Sequence, residues 1–423
     1  YFREVARQMK EHPTEAPKVI FCIAEPSWQI AERQNLQGEG NLDLITEMAV
    51  DAGARVCAVL TGDLHHYRRC YSPELGLNFI TTGGGGSYFS PTHWLKDKVE
   101  LQWSKQKFDL YMTAPRNGSP DGSAEACWPS RTESRKMSIK ILAFPIFNYW
   151  FSVCLGVLYW VMTWQFAWTK ISLTAADGKE RVMLVNDALA ELRTTATSHF
   201  DYLSQAAYLV AKAGQANPML GLMGIGMFGA LWYYADAPDS RWRRLLMAFL
   251  HFFAHVAMMI VLYFALRSFN TWLVTNVLHG IPGVATDPGV HNNWIEFMDS
   301  ILLPSVEMIF LGALGAGFVW GLYLTVCCLL DRHCDDAFSS MRVDKYKHFL
   351  RLKIEPDKLT IYPIGLKDVP TRSSWRAAAP DGDNILKGPR FVPSRPLKPR
   401  LIEPPIEVRV GDVRRRDPIA KRS

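Results

Sequence analysis

The sequence has 423 residues, of which 48% are hydrophobic, and a formal net charge of +6, so it is long enough for two or three domains. Its mean hydropathy of −0.03 averages a polar first third, an apolar middle and a basic, proline-rich end. The eight cysteines include no Cys-x-x-Cys pair, which argues against a disulfide framework or a structural zinc site and favours a reducing compartment. The basic excess after Leu330 is typical of a segment beside anionic lipid, and we expect no nucleic-acid partner.

Residues 1–130 predict an α/β domain. The pattern of apolar residues predicts strands at Ala16–Ala24, Arg55–Leu60 and Leu77–Thr82, and a helix at Asn41–Ala52 that Gly53 ends. No signal peptide is visible in the sequence, which opens at Tyr1 in a soluble-looking stretch. We therefore expect that the chain lacks the start of this domain.

A polar cluster follows each of the three predicted strands. Glu25 follows the first, Asp63 and His65 follow the second, and Gly83–Gly86 follows the third. Carboxylate and imidazole ligands together suit Mn, Fe or Zn, and glycines let backbone N–H groups approach an anion. Each cluster alone also fits a cap, a packed histidine or a flexible turn. Their order on successive strands favours a site at the strand ends.

From about Lys18 to His93 the segment resembles the C-terminal half of a calcineurin-like metallophosphoesterase. In that family a late strand ends in a histidine before a proline-containing turn, and a later strand ends in Gly-His-x-His. Here Ala24-Glu25-Pro26 and Gly62-Asp63-Leu64-His65 hold those places, and the strand and glycine-rich turn from Phe79 to Gly86 also resemble the family.

The resemblance implies a fold and a chemistry. The fold is a layered β-sandwich flanked by helices, present here as a partial domain. The chemistry is phosphate-ester hydrolysis with two divalent metal ions (Mn, Fe or Zn), held in part by Glu25, Asp63 and His65, which activate water and clamp the phosphoryl group. Acids replace two of the family's histidines, and the family's Asp-x-His, Gly-Asp-x-x-Asp and Gly-Asn-His motifs do not precede this segment.

Further residues are candidates for the same site. Catalytic roles are predicted for His65, its neighbour His66, and His93, which follows the glycine-rich turn closely. Arg68 is predicted to contact substrate phosphate together with the backbone of Gly83–Gly86. For His93 a packing role, and for Arg68 a solvated loop position, are the alternatives.

Residues 141–330 predict about four transmembrane helices. The apolar runs cover about 141–168, 218–234, 245–266 and 301–330, each near the roughly 20 residues that a bilayer requires. Four glycines in the second run, at 221, 224, 226 and 229, predict close helix contacts. An amphipathic helix is expected on the outer side at about 179–212. His251, His255 and Glu307 are ionisable groups within spans, for which polar packing is favoured over a proton path.

Basic residues predict the orientation of these spans. Lys and Arg cluster before the first run, between the second and third, and after the fourth, whereas residues 270–300 have none. This asymmetry predicts that both the N- and C-terminal parts are cytoplasmic. The arrangement also resembles large bacterial membrane proteins with a phosphoesterase domain ahead of several spans, which implies the bacterial inner membrane.

Residues 331–423 predict a small basic cytoplasmic tail domain, with an amphipathic helix at Asp344–Lys353 and a strand at Lys358–Leu366. Two functions then fit the whole chain. The first is a membrane-anchored metal-dependent phosphoesterase, acting at the cytoplasmic face beside membrane lipids on a phosphate ester that could be lipid-linked. The alternative is a non-catalytic membrane receptor or scaffold with a degenerate phosphoesterase domain. A small transporter built on the spans is disfavoured by the few charges within them.

Overall fold

The structure, a computed structural model, describes residues 1–11, 17–26, 40–86, 88–103, 106–112, 126–174, 179–277, 301–378 and 391–409. The chain divides into two compact units, Tyr1–Ile139 with Cys334–Ser423, and Lys140–His333. Most of the predicted tail domain at 331–423, from Cys334 onward, is grouped in one unit with the first 139 residues.

The first unit contains a seven-stranded mixed sheet. Its elements in chain order are α1 (Phe2–Glu11), β1 (Lys18–Ile23), α2 (Gly40–Asp51), β2 (Arg55–Thr61), β3 (Tyr67–Ser72), β4 (Leu77–Thr82), β5 (Lys98–Trp103), β6 (Gln106–Tyr111), β7 (Cys127–Trp128) and α3 (Arg131–Ser138). The strand order is β1-β2-β4-β3-β6-β5, with β7 beside β3. Strands β1, β2 and β4 are parallel, and the other neighbouring pairs are antiparallel. The three predicted strands and their helix are all present.

Helix α2 closes one side of this sheet. Its apolar residues Leu42 and Ala49 are buried in one cluster with Val59 of β2 and Phe79 of β4. The helix stops before Gly53, which has a φ of 78° and is the glycine that the sequence predicts to end it. The amide of the following Ala54 donates to the carbonyl of Ala49 at 2.9 Å, so the helix terminates in a Schellman-type turn.

Strand β3 was not predicted from the sequence. It lies between β4 and β6 in the interior of the sheet, although it carries Arg68 and Arg69 side by side. Both arginines are buried. Consecutive charged residues are usually solvated, and this is why the pattern indicates a loop where the protein has a central strand.

The last part of the chain adds a smaller sheet to the first unit. Its elements are α11 (Cys334–Ser340), β10 (Lys345–Ile354), β11 (Lys358–Asp368), β12 (Trp375–Ala377), β13 (Phe391–Pro393), β14 (Arg400–Leu401) and β15 (Ile406–Arg409). Strands β10 and β11 form an antiparallel hairpin, and β14 and β15 pair with β11. The strand predicted at Lys358–Leu366 is confirmed.

The helix predicted at Asp344–Lys353 is wrong, because those residues form β10. Along this strand Tyr346 and His348 are buried while Lys345 and Phe349 are exposed. That alternation has the period of two that a strand requires. Apolar residues three and four apart also satisfy a helical pattern, so the sequence alone favoured the wrong period.

The second unit contains the apolar helices. Its elements are a 3₁₀ turn continuing from Ile139 to Ala143, α4 (Phe144–Phe147), α5 (Tyr149–Ala167), β8 (Lys170–Thr174), β9 (Glu180–Leu184), α6 (Val185–Thr195), α7 (His199–Ala216), α8 (Pro218–Tyr234), α9 (Arg241–Asn276) and α10 (Leu303–Leu329). Within the described ranges three helices, α5, α9 and α10, are long and apolar enough to cross a membrane. The predicted second span corresponds to α8, whose 17 residues are at the short end of the length a bilayer requires.

The single amphipathic helix predicted at about 179–212 is wrong. Residues Glu180–Leu184 form β9, which pairs with β8 in a hairpin. Two helices follow, and they are separated because Ala196 is extended and Ser198 caps the second helix by accepting from the amide of Asp201. A serine at this position satisfies an amide that the first helical turn leaves unpaired.

Among the described residues, the closest backbone approach at these helix glycines is between α5 and α10, whereas a Cβ on Gly224 of α8 would lie 4.0 Å from the ring of Phe252 in α9. A Cβ placed on Gly156 of α5 would clash with the carbonyl of Ile309 in α10. At Gly221, Gly226 and Gly229 of α8 a Cβ would meet no atom of the described residues within 4 Å. The glycines that permit close approach in this unit are therefore those of α5 and α10.

The histidines predicted to lie within spans make polar contacts with neighbouring helical residues. The ring of His255 lies 2.7 Å from the hydroxyl of Tyr159 and 3.1 Å from the Nε2 atom of His251. Glu307 accepts a hydrogen bond of 2.8 Å from the side-chain amide of Asn270. These pairings are those expected of polar side chains that link apolar helices.

Candidate functional site

The three polar clusters follow the carboxyl ends of three neighbouring parallel strands. Glu25 comes after β1, Asp63 and His65 after β2, and the glycine turn after β4. The amide of Gly62 donates to the carbonyl of Ala24 at 3.0 Å, which joins the first two strand ends. The strand order β1-β2-β4 thus brings the clusters to one edge of the sheet, where α/β proteins commonly bind ligands.

The turn after β2 places Asp63 and His65 in different surroundings. Asp63 is exposed and has a φ of 59°, a left-handed conformation that aspartate tolerates better than most residues. His65 is half-buried, and its ring packs edge-on against Tyr88 with centroids 4.6 Å apart. The amide of His65 donates to the hydroxyl of Ser90 at 3.1 Å.

One ring nitrogen of His65 lacks a hydrogen-bond partner among the described residues. Its Nδ1 atom is buried, and no group among the described residues makes a hydrogen bond to it. A buried nitrogen without a partner is unfavourable unless a ligand, an ion or water completes it. His65 as a whole is half-buried, unlike the fully buried His66, so it is the histidine of this turn that a ligand or water could complete.

The glycine turn after β4 packs closely against the turn after β2. A Cβ on Gly83 would clash with the carbonyl of Leu64, and one on Gly86 would lie 2.8 Å from the ring of His65. Gly84 is buried, and a Cβ there would overlap the ring of His348. Only Gly85 of the four is exposed. The run therefore serves close packing as well as any contact with phosphate that Gly83–Gly86 were predicted to make.

Two predicted site residues lie inside the protein. His66 and Arg68 each have no exposed surface, and the Nη2 atom of Arg68 donates to the carbonyl of Lys96 at 3.0 Å. Because both residues are fully buried, neither can contact a substrate that arrives from solvent. This burial does not favour the predicted catalytic role of His66 or the predicted phosphate contact of Arg68, and both stay predictions.

His93 is half-buried and bound to a neighbouring helix. Its Nδ1 atom lies 3.0 Å from the hydroxyl of Ser134 in α3, and its ring lies over Phe338 at 6.1 Å between centroids. These contacts match the packing role that was the alternative for this residue.

The structure brings residues from the end of the chain to this edge of the sheet, which the sequence did not predict. The ammonium group of Lys347 donates to the carbonyl of Gly86. Burial lowers the pKa of His348, which lies beside Gly84, to about 4, so this histidine is uncharged at neutral pH. The hydroxyl of Ser90 contacts a carboxylate oxygen of Asp335 at 3.5 Å.

Acidic residues surround Tyr88 beside His65. Burial, followed by the negative charges of Asp335, Asp63 and Asp336, raises the pKa of the Tyr88 hydroxyl above its usual value of about 10. Two of these acids, Asp335 and Asp336, come from α11. Their position near Tyr88 depends on contacts between segments that are distant in the sequence, so the local sequence pattern does not predict it. The edge is thus more acidic than the strand ends alone imply.

The predicted metal ligands fit a divalent ion only in part. Asp63 and His65 share one turn, and Glu25, which is exposed, follows the neighbouring strand. In the part of the chain that the structure describes, however, no three His, Cys, Asp or Glu residues are grouped closely enough to hold a metal ion. Glu25, Asp63 and His65 therefore do not form a three-ligand centre by themselves.

Comparison of the chain with protein-family models, with curated proteins and with solved structures finds no match.

Proposed function

We propose that this chain is a membrane-anchored phosphoesterase that hydrolyses a phosphate ester at the cytoplasmic face with the help of divalent metal ions. The observation that carries the proposal is the meeting of three polar strand ends at one edge of the sheet, joined by the contact between Gly62 and Ala24. The helices α5, α9 and α10, which are long and apolar enough to cross a membrane, support the anchoring.

We assign different roles to the residues at this edge according to their exposure to solvent. Asp63 and Glu25 are exposed carboxylates, and their oxygen atoms suit the binding of a divalent cation. His65 is half-buried in the same turn as Asp63, and its Nδ1 atom has no partner among the described residues, so we assign proton transfer or ligation to this side chain. A substrate attached to a lipid would reach a site held near the membrane more readily than a dilute soluble one, and we favour that class.

The proposal is tested by hydrolysis of an aryl phosphate by the purified full chain in lipid nanodiscs, with and without Mn²⁺. We expect Mn²⁺-dependent release of phosphate. His65→Ala should lower kcat/KM by about 100-fold or more, the size of effect typical of a lost acid, base or ligand. Asp357→Asn is the control, because the Asp357 side chain is 96% exposed and belongs to a different strand connection. Equal activity of wild type and His65→Ala would show that the site is assigned to the wrong residues.

A second candidate is a non-catalytic receptor that binds a phosphate compound at the same edge. It is favoured by the lack of a three-ligand metal centre among the described residues and by the burial of His66 and Arg68. This candidate predicts that inorganic phosphate binds to the wild-type protein and that Asp63 and His65 variants alter the binding, with no hydrolysis under any metal condition.

A further inference from the structure

The second unit contains a polar cavity at the ends of its long helices. Its volume is about 170 Å³, more than ten times the roughly 10–15 Å³ that one water molecule needs. Residues of α5, α9 and α10 line it, together with Asn186 of α6. Three indole rings form one wall, Trp160 and Trp164 of α5 and Trp168 just after it, with neighbouring centroids 6.1 and 5.5 Å apart.

Two residues that line the cavity each have a buried polar atom with no hydrogen-bond partner among the described residues. Asn270 is 4% exposed, and its amide nitrogen is used by Glu307, which leaves the Oδ1 atom without a hydrogen bond from any described residue. The indole Nε1 atom of Trp160 is likewise buried without an acceptor in the described part of the chain. The cavity thus offers one acceptor and one donor whose burial is costly unless a ligand satisfies them.

Arg267 is the only charged residue of the described residues that line this cavity. Its Nη2 atom donates to the carbonyl of Asn186 at 2.9 Å, and the hydroxyl of Tyr263 donates to the Asn186 side chain at 3.1 Å. These two bonds fix the guanidinium and the phenol in place. A fixed guanidinium in a partly apolar surrounding favours an anion, most of all a phosphate.

An apolar groove adjoins the polar cavity. Its volume is about 220 Å³, and Thr163 and Tyr263 line both spaces. The other residues of the groove are nearly all apolar and include Leu220, Val256 and Phe264. A polar cavity and an apolar groove that share a wall match the two halves of an amphiphilic molecule.

We propose that this paired site binds a membrane lipid with an anionic, hydroxyl-bearing headgroup of the phosphatidylglycerol class. The phosphate lies against Arg267, a headgroup hydroxyl donates to Oδ1 of Asn270, and the indole of Trp160 donates to a headgroup oxygen. One acyl chain lies in the groove. The inference does not depend on the phosphoesterase activity, because all of its residues belong to the helical unit.

The test is native mass spectrometry of the full chain released from nanodiscs of mixed phosphatidylglycerol and phosphatidylcholine. We expect one phosphatidylglycerol to be retained in preference to phosphatidylcholine. Arg267→Gln should weaken this preference about tenfold, and Arg267→Lys, which keeps the charge, should retain most of it. Arg241→Gln is the control, because Arg241 is exposed in the first turn of the same helix and lies outside the cavity.

A second pair of variants tests the groove. Gly214 lines it, and a Cβ there meets no described atom within 4 Å, so Gly214→Leu should fill the groove and reduce lipid retention about tenfold. Gly221→Leu is the matched control. A Cβ at Gly221 would also meet no described atom within 4 Å, but Gly221 does not line the groove. Soluble glycerol phosphate should bind far more weakly than the lipid.

Three results would overturn the proposal. Equal retention of both lipids by the wild-type protein would show that the cavity does not select an anionic headgroup. A loss of preference that is the same in Arg267→Gln and Arg241→Gln would show that the charge of the helix, and not this cavity, selects the lipid. Tight binding of glycerol phosphate alone would assign the cavity to a soluble anion and remove the groove from the site.

Discussion

Glu403 lies in a buried ion pair that ties the end of the chain to strand β3. Its carboxylate accepts from Nε and Nη2 of Arg69 at 2.9 and 2.6 Å, and it also accepts from the hydroxyl of Tyr67. The two charged side chains are only 8% and 10% exposed. A bidentate pair of this kind is well directed, and each partner is costly to leave alone once buried.

Removal of this carboxylate should therefore be strongly destabilising. We expect Glu403→Ala to lower the free energy of unfolding by about 3–5 kcal/mol, because Arg69 would keep its charge in a buried place without its counter-ion. Glu407→Ala, which removes an exposed pair with Lys358 on the neighbouring strand, should cost less than about 1 kcal/mol. Denaturant unfolding followed by tryptophan fluorescence measures both. Similar losses for the two variants would contradict the assigned role of Glu403.

The candidate site could be predicted where residue type and strand ends agree. Asp63 and His65 follow a buried strand, and this local pattern is visible in the sequence. The burial of His66 and Arg68 was not predictable, because it depends on β3 entering the middle of the sheet between β4 and β6. Nothing in the sequence near Arg68 shows that Lys96 provides its acceptor 28 residues later.

At the scale of elements, the helices were easier to predict than the strands near them. The long apolar runs match α5, α9 and α10 because composition alone indicates them. The sequence predicts a helix where the protein has strand β10, because its apolar residues fit both a helical and a strand period. Only the pairing with β11 distinguishes the two. The interval 179–212 was likewise read as one helix, although a hairpin and the cap at Ser198 divide it.

The contact between α5 and α10 depends on glycine. We expect Gly156→Val to destabilise the protein by about 1–3 kcal/mol or more, because its side chain would overlap the backbone of Ile309 in α10. Gly226→Val, at a helical glycine whose Cβ would meet no described atom within 4 Å, is the control for the β-branched residue itself. Unfolding in detergent, followed by circular dichroism, compares the two. A larger loss in Gly226→Val would contradict the close packing of α5 on α10.

At the scale of the whole molecule, the two terminal parts of the chain form one compact unit. The apolar helices come between these two parts in the amino-acid sequence and belong to the other unit. The division into a first domain, an apolar middle and a tail was visible from composition. The union of the tail with the first domain was not, because the contacts that make it, such as Arg69 with Glu403, join residues more than 300 positions apart. The tail thereby brings Lys347, His348 and Asp335 to the edge of the sheet that carries the candidate site.

The central claim is that the ends of β1, β2 and β4 act together as one site for a divalent cation and a phosphate. Titration of the purified full chain with Mn²⁺ by isothermal calorimetry tests this most directly. We predict that the wild-type protein binds Mn²⁺, that Asp63→Asn and His65→Ala each weaken binding about tenfold or more, and that Asp357→Asn binds as the wild type does. Absence of Mn²⁺ binding by the wild type, or unchanged binding in both site variants, would contradict the claim.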